Sequence, residues 1–210
     1  MMTKTLAIVG ASGHGKVIAD IAELLGFTVE FYDDAYPTKT HIEHWSINGT
    51  CADLIALNNT NSAPSDVVVA IGNNDIRLQK IQLLQQNNFN LITLIHPSAV
   101  ISQYAVVAMG TVVFAGAVIN AFAKIGVGCI INTAAVVEHD CIIDDFTHIC
   151  PNVALAGGVT IGSKSWIGIG SQIKQLIVVG DNCMIGAGST VIKNIPDNVI
   201  AFGSPAVLRK

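Results

Sequence analysis

Charge is scarce in this sequence. Eleven Lys and Arg and fifteen Asp and Glu make up 12% of 210 residues and leave a net charge of −4. That balance gives no basic footprint for a phosphate backbone, so nucleic acid is excluded as an expected partner. Cysteine is also sparse: Cys51, Cys129, Cys141, Cys150 and Cys183 are odd in number and form no C-x-x-C pair, which argues against a disulfide framework or a zinc site. No long apolar run with a small-residue cleavage site opens the chain. The start, MMTKTLAIVGASG, reads as a buried first strand running into glycines, and a cytoplasmic protein is the expectation. Ser98 to Ala123 carries no charge and could pass for a membrane span. A second periodicity in the same residues overrides that reading.

From Ile95 to Val191, every sixth residue is Ile, Val or Leu, at 17 consecutive positions without an insertion. Chance agreement is on the order of one in ten million. Four residues after each lies a second register, from Ala99 to Ile195, small at 13 of 17 positions. A transmembrane helix shows neither register. A period of six fits short parallel strands joined by sharp corners, three per coil, giving five to six coils. The aliphatic register fills the interior, and the small one fits where the chain bends inward. Glycines just after the aliphatic position, such as Gly126 and Gly162, are expected to serve the tight turns. No membrane insertion is expected.

Ahead of the repeat the pattern changes. Residues 4–9 predict a strand entering Gly10-Ala-Ser-Gly-His-Gly-Lys16, with a helix from about Val17 to Leu25. A second strand, about Thr28 to Tyr32, ends in Asp33-Asp34. A third, Val67 to Ile71, runs into Gly72-Asn73 and a helix to about Asn87. This is an α/β, small Rossmann-like domain over residues 1–93, followed by a parallel β-helix over 94–210. The loop G-x-x-G-x-G is not the dinucleotide fingerprint. Its physics is partly shared, because glycines admit a phosphate to the backbone and a helix N-terminus offers free N–H groups. A nucleotide-linked ligand is expected there.

Within the repeat, ionisable residues cluster at Glu138-His139-Asp140, with His148 nine residues on. Acyl transfer from a thioester needs a base, a group that holds the base in one tautomer, and a donor for the oxyanion. His139 with Asp140 supplies the first two, and Glu138, flanking the histidine on its other side, is a further catalytic candidate. Gly157 follows His139 by one 18-residue coil, about 4.8 Å away, and its amide is a candidate oxyanion donor with room left for the thioester. Nine residues are half a coil, so His139 and His148 fall on different faces and meet only across a subunit interface. A homotrimer would provide one. Cys141 lies in the small interior register, which favours direct transfer over an acetyl-cysteine.

The glycine loop, Asp33-Asp34, Ala70-Ile-Gly-Asn-Asn74, Ile131-Asn-Thr133 and Val137-Glu-His-Asp140 together resemble the sialic acid O-acetyltransferase-like sugar acetyltransferases of the hexapeptide-repeat class. Within that family the likeness is to the bacillosamine-pathway N-acetyltransferases, which act on the 4-amino group of a UDP-linked 4-amino-4,6-dideoxy sugar. The resemblance implies a left-handed prism, acetyl-CoA as co-substrate and no metal. It implies that His139 is the general base and that Asp140 orients it. It further implies that Asn132, His148 and Gly157 sit at the acetyl group, and that Ile169, Ala187 and Lys193 line the CoA groove. Gly13, His14, Gly15 and Lys16 would hold the nucleotide, with Asp33, Asp34, Gly72 and Asn73 nearby. The competing expectations are a sugar O-acetyltransferase, an enzyme for a GDP-linked amino sugar, a zinc hydratase recruiting His96 with His139 and His148, and a non-catalytic prism.

Overall fold

A computed structural model describes residues 4–60 and 63–209, so the first three residues of the N-terminal stretch lie outside the description. The chain divides into two compact units, residues 1–97 and 98–210. No helix among the described residues is long and apolar enough to cross a membrane.

The first unit is an open sheet with strand order β3-β4-β2-β1-β5-β6. In chain order its elements are β1 (Thr5–Val9), α1 (Gly13–Leu24), β2 (Thr28–Tyr32), β3 (His41–Ile42), β4 (Trp45–Gly49), α2 (Cys51–Asn58), β5 (Asp66–Val69), α3 (Asn74–Gln86) and β6 (Asn90–Leu91). All pairings are parallel except β3 with β4. The central β1 and β5 are buried on both faces, which is why Leu6-Ala-Ile-Val9 and Val67-Val-Val69 read as continuous apolar runs rather than alternating ones.

Two expectations for this unit are corrected, and two further features appear. Helix α1 begins at Gly13 rather than Val17, so Gly13, His14, Gly15 and Lys16 form its first turn. Glycine is a poor helix former, and the pattern suggested loop. Gly15 is required by a contact instead: a Cβ there would lie 2.4 Å from the Gly10 carbonyl oxygen and 3.1 Å from the Phe31 ring. Strand β5 ends at Val69, two residues early. The hairpin of β3 and β4 and helix α2 were not anticipated. Helix α2 nonetheless carries a signal in Thr50-Cys-Ala-Asp53, where the Thr50 hydroxyl accepts from the Asp53 amide and the Asp53 carboxylate accepts from the Thr50 amide.

The second unit is a β-helix. Two-residue strands stack into three parallel sheets, each rung displaced by 18 residues: Val118 pairs with Val136, Lys124 with Ile142, Ile130 with His148. From Val113 to Val191 the aliphatic register is buried throughout, and the small register is buried from Thr111 on. Each such aliphatic contributes roughly 1.5–3 kcal/mol relative to exposure. Hydroxyls in the small register are satisfied inside the prism. Thr111 Oγ1 donates to the Gly126 carbonyl at 2.7 Å, and Thr147, Ser165 and Ser171 repeat the bond 15 residues ahead. That bond explains how a polar residue shares a register with alanine.

The turn glycines are also corrected. The left-handed residue of each corner stands three positions after the aliphatic one, and from Gly110 to Gly188 all 14 such positions have positive φ, including Phe122, Ala134, Asp140 and Lys164. Gly126 and Gly162, one position after the aliphatic, answer a different demand. A Cβ on Gly126 would meet the Asp145 amide at 2.7 Å, so the close approach of the next coil excludes a side chain. The last 18-residue rung pairs Ile173 with Val191; Met184 then pairs with Ile200, and a hairpin of Ile200–Gly203 with Ala206–Arg209 follows.

Candidate active site

His139 and Asp140 occupy the corner after the strand Val136–Val137. Asp140 is the left-handed residue of that corner, with φ of 60°, a conformation aspartate tolerates better than most residues. Its Oδ2 lies 2.7 Å from His139 Nδ1. A carboxylate only accepts, so the proton of the neutral ring is on Nδ1 and the Nε2 lone pair is free to act as a base. Both side chains are about three-fifths exposed. Glu138 is directed elsewhere. Its Oε2 stands 3.4 Å from the His139 amide, and its side chain lines a groove of about 470 Å³ with Ala154, Gln172 and Lys174 on the sheet face.

Gly157 is one rung on from His139. A Cβ placed there would sit 2.6 Å from both Cε1 and Nε2 of the imidazole, so the absent side chain accommodates the His139 ring itself. Sequence reasoning had kept that space for the thioester. The Gly157 carbonyl accepts from the Leu176 amide at 3.1 Å, while its own N–H donates to no acceptor among the described residues.

His148 lies on a different sheet of the prism, in register with Ile130 and Trp166. It is 5% exposed, and its ring is 4.2 Å from that of Trp166. Asn132 determines its tautomer. The Thr133 amide donates to Asn132 Oδ1 at 2.8 Å, which leaves Asn132 Nδ2 facing His148 Nε2 at 3.1 Å. Nε2 therefore accepts, and the proton of the neutral ring is on Nδ1. These residues line a hollow of about 430 Å³ with Cys150, Trp166, Ile169, Met184 and Ala187. Burial pushes the Cys150 thiol up to about 12 and raises that of Cys141 as well, so neither is a ready thiolate. Lys193 is not in this hollow. It lines an apolar pocket of about 340 Å³ with Ile195, Pro205 and Leu208.

In the first unit a cleft of about 290 Å³ lies beyond the C-terminal ends of β1, β2 and β5, where strand order reverses around β1. Gly10, Asp33, Asp34 and Gly72 line it. Asp33 is a tether for the glycine loop, its Oδ2 accepting from the Ala11 amide at 2.6 Å and its Oδ1 from the Ala35 amide at 2.9 Å. Asp34 accepts from the Cys51 amide at 3.2 Å and pairs with Lys80, which holds its carboxyl below the usual range. Lys16 pairs with Glu43. Asn73 caps α3, its side chain accepting from the Ile76 amide at 3.0 Å. His14 is half-buried near Arg77, and desolvation first, then that charge, lower its pKa to about 4. Arg77 is itself 1% exposed and donates to the Ile71 and Gly72 carbonyls at 3.0 and 2.9 Å, fixing the loop at the cleft.

Residues 5–84 match the family described as PglD N-terminal domain, and residues 158–193 match the bacterial transferase hexapeptide family. Among solved structures, perosamine N-acetyltransferase from Caulobacter crescentus, in complex with CoA and GDP-perosamine, is 34% identical with a TM-score of 0.94, covering 100% of this chain and 98% of that one. The chain belongs to the acetyl-CoA-dependent sugar acetyltransferases of the hexapeptide-repeat class. The acetyltransferase domain of PglB from Neisseria gonorrhoeae, in complex with acetyl coenzyme A, is 38% identical with a TM-score of 0.91, covering 99% of this chain and 100% of that one. UDP-N-acetylbacillosamine N-acetyltransferase of Bacillus subtilis is 40% identical over 116 residues, 53% of this chain. The match spans about half of that relative's length (52%).

In this sugar acetyltransferase, several residues at the two sites escaped sequence reasoning. Trp166 sits on the aromatic face of His148 because Trp166 and His148 are 18 residues apart, a spacing the repeat already contained. Lys80 and Arg77 had no such signal. The partner of Lys80 is brought to it by the sheet, Asp34 being 46 residues away, whereas Arg77 bonds the nearby Ile71 and Gly72 carbonyls and the Asn74 side chain. Among the described residues, no group of three or more His, Cys, Asp or Glu is gathered to hold a metal ion.

Proposed function

We propose that this protein transfers the acetyl group of acetyl-CoA to the 4-amino group of a UDP-linked 4-amino-4,6-dideoxy sugar. The observation that carries the reading is the His139–Asp140 pair, held over the side-chain-free Gly157 with Nε2 unprotonated. His139 Nε2 takes the proton from the attacking amine as the nitrogen adds to the thioester carbonyl. The Gly157 N–H stabilises the oxyanion, and collapse of the tetrahedral intermediate expels CoA thiolate, which the protonated His139 can neutralise. Asp140 keeps the tautomer and stabilises the imidazolium. Glu138 faces the His139 backbone amide and lines the neighbouring groove, and we assign it there.

Asn132, His148, Ile169 and Ala187 belong to the acetyl-CoA side in this reading, and Lys193 to the far end of the cofactor groove. Residues 94–210 thus form the catalytic domain, and residues 1–93 hold the nucleotide through the first turn of α1 (Gly13, His14, Gly15, Lys16) and the loop Gly72-Asn73. His139 and His148 lie on different sheets, so a complete site takes one from each of two copies, as a homotrimer allows. Exposed apolar residues along the prism, among them Val106, Tyr104, Phe122 and Val178, support such packing.

The UDP assignment is supported by the Bacillus subtilis relative, named for a UDP-linked sugar. The Caulobacter crescentus structure holds GDP-perosamine, which makes a GDP-linked 4-amino sugar the second reading. Release of free thiol from acetyl-CoA, measured across UDP- and GDP-linked 4-amino sugars, free amino sugars and sialic acid, tests the proposal. Turnover with the UDP-linked amine supports it. Turnover confined to the GDP-linked amine moves the assignment to the second reading, and turnover confined to hydroxyl acceptors overturns it.

A further inference from the structure

The corner that carries His139 and Asp140 is one of a column, because this edge of the prism repeats every 18 residues. Phe122 stands one coil before Asp140, about 4.8 Å along the prism, and the Asp140 amide donates to the neighbouring Ala121 carbonyl at 3.1 Å. Phe122 takes the left-handed conformation of the column with φ of 63°, a region that disfavours a bulky side chain. Its ring is stacked on Tyr104, one further coil back, with centroids 5.4 Å apart and planes at 21°. Phe122 is nevertheless 59% exposed, so the stack leaves much of the ring open beside the base. On the other side of His139 and Gly157, Leu176 reaches over Gly158, where a Cβ would lie 2.8 Å from Leu176 Cδ2. Ile169, Ala187 and Lys193, assigned above to acetyl-CoA, all lie on coils beyond His139. The coil before His139 is what remains for the acceptor.

We infer that Phe122 determines acceptor specificity, packing against C6 of the sugar and selecting a 6-deoxy sugar over its 6-hydroxy counterpart. The inference rests on the 4-amino-sugar reading above and names what that site discriminates. The amine on C4 must reach His139 Nε2, and C4 has two ring neighbours. C3 carries a hydroxyl, whereas C5 carries C6, a methyl group in a 6-deoxy sugar. The C5–C6 edge is the apolar side of the sugar nearest the reacting nitrogen, and Phe122 is the open apolar side chain one coil from the base. Contact takes methyl and ring face out of water together. A hydroxyl on C6 would lose water in the same contact and find no acceptor on the ring. Apolar surface rejects an added hydroxyl by about a hundredfold in a closed pocket. At this half-open edge a preference on the order of tenfold follows.

The test is kcat/KM of the full-length protein for a UDP-linked 4-amino-4,6-dideoxy hexose and for the 4-amino-4-deoxy hexose that differs only by the C6 hydroxyl, each also in its GDP-linked form. The native protein is expected to favour the 6-deoxy sugar about tenfold. Phe122→Asn removes the ring and keeps the turn, as Asn152 does in an equivalent corner. It should shrink the preference to less than about threefold, while Phe122→Tyr, which keeps the ring face, preserves it. Thermal melts and light scattering accompany each variant, because the same ring can contribute to packing between copies. A Phe122→Asn variant that loses rate on both sugars alike and keeps the preference, whether or not its assembly changes, overturns the inference. Equal use of the two sugars by the native protein overturns it too, with the 4-amino-sugar reading intact. If no 4-amino sugar is a substrate with either nucleotide, that reading falls and takes the inference with it.

Discussion

His139 Nδ1 and Asp140 Oδ2 are 2.7 Å apart although the two residues are adjacent in sequence. In an extended strand, neighbouring side chains point to opposite faces. The pair meets here because Asp140 takes the left-handed conformation that every coil requires at this position, with φ of 60°. The corner of the prism thus builds the base and its orienting carboxylate from two consecutive residues. A substitution at Asp140 has two separable consequences, one on the turn and one on the tautomer.

Asp140→Asn preserves the turn, since asparagine also tolerates left-handed φ, as Asn152 and Asn182 show in equivalent corners. It removes the obligatory acceptor at Nδ1. We expect kcat/KM to fall about a hundredfold with the melting temperature within a few degrees of the native protein. Steady-state rates alongside a thermal melt check this; native-like kcat/KM in a folded variant would deny Asp140 its orienting role.

Gly157→Ala puts a methyl group 2.6 Å from the His139 ring. The ring is exposed and can swing away, so the cost falls on catalysis more than on folding. At least a tenfold loss of kcat is expected, with near-native stability. A variant that keeps full kcat would show that the ring's position over Gly157 is unimportant.

Asn132→Ala releases His148 from its fixed tautomer and removes a wall of the hollow shared with Trp166. Initial rates against acetyl-CoA concentration should show kcat/KM for acetyl-CoA lowered about tenfold. The apparent affinity for the sugar nucleotide should be unchanged. The reverse pattern would place this hollow on the acceptor side.

Stability should depend on His14. In the unfolded chain its imidazole takes up a proton near the ordinary value of 6.5, whereas in the folded protein it does so only near about 4. Between those values the unfolded state binds more protons. The stability is therefore intact above pH 6.5 and declines as pH falls towards 4, by up to about 3 kcal/mol from this group. Urea unfolding at several pH values should show this loss, and His14→Gln should lose about that much less over the same range. An identical pH slope in the variant would contradict the assignment.

The second unit was legible in the sequence almost residue by residue. A strict period of six leaves one choice for what points inward, and Val113 to Val191 follow it without a break. The first unit was legible only where local signals agreed. Strands β1 and β2 were found from their apolar runs. The start of α1 was missed because Gly13 and Gly15 weigh against helix, while the reason for Gly15 lies in a tertiary approach to Gly10. The Thr50–Asp53 capping box was a local signal that identifies α2. The Asp34–Lys80 pair was out of reach, because sheet topology rather than spacing joins the two; the partners of Arg77 are close in sequence, at Ile71, Gly72 and Asn74, but nothing in the sequence marks a buried arginine. At the site, His139 and Asp140 stood out as the acidic-flanked histidine of a charge-poor repeat. Asp140 was named as the orienting carboxylate, but the physical reason, the left-handed φ that turns it to the ring, is visible only in the structure.

The most direct test of the account is the rate of acetyl transfer to a UDP-linked 4-amino sugar by the native protein and by His139→Asn. Asparagine keeps a polar side chain at the corner without a basic nitrogen. A loss of kcat of a hundredfold or more, with binding of acetyl-CoA retained, is the predicted result. A loss of less than tenfold would contradict the assignment of His139 as the general base and with it the mechanism built on this corner of the prism.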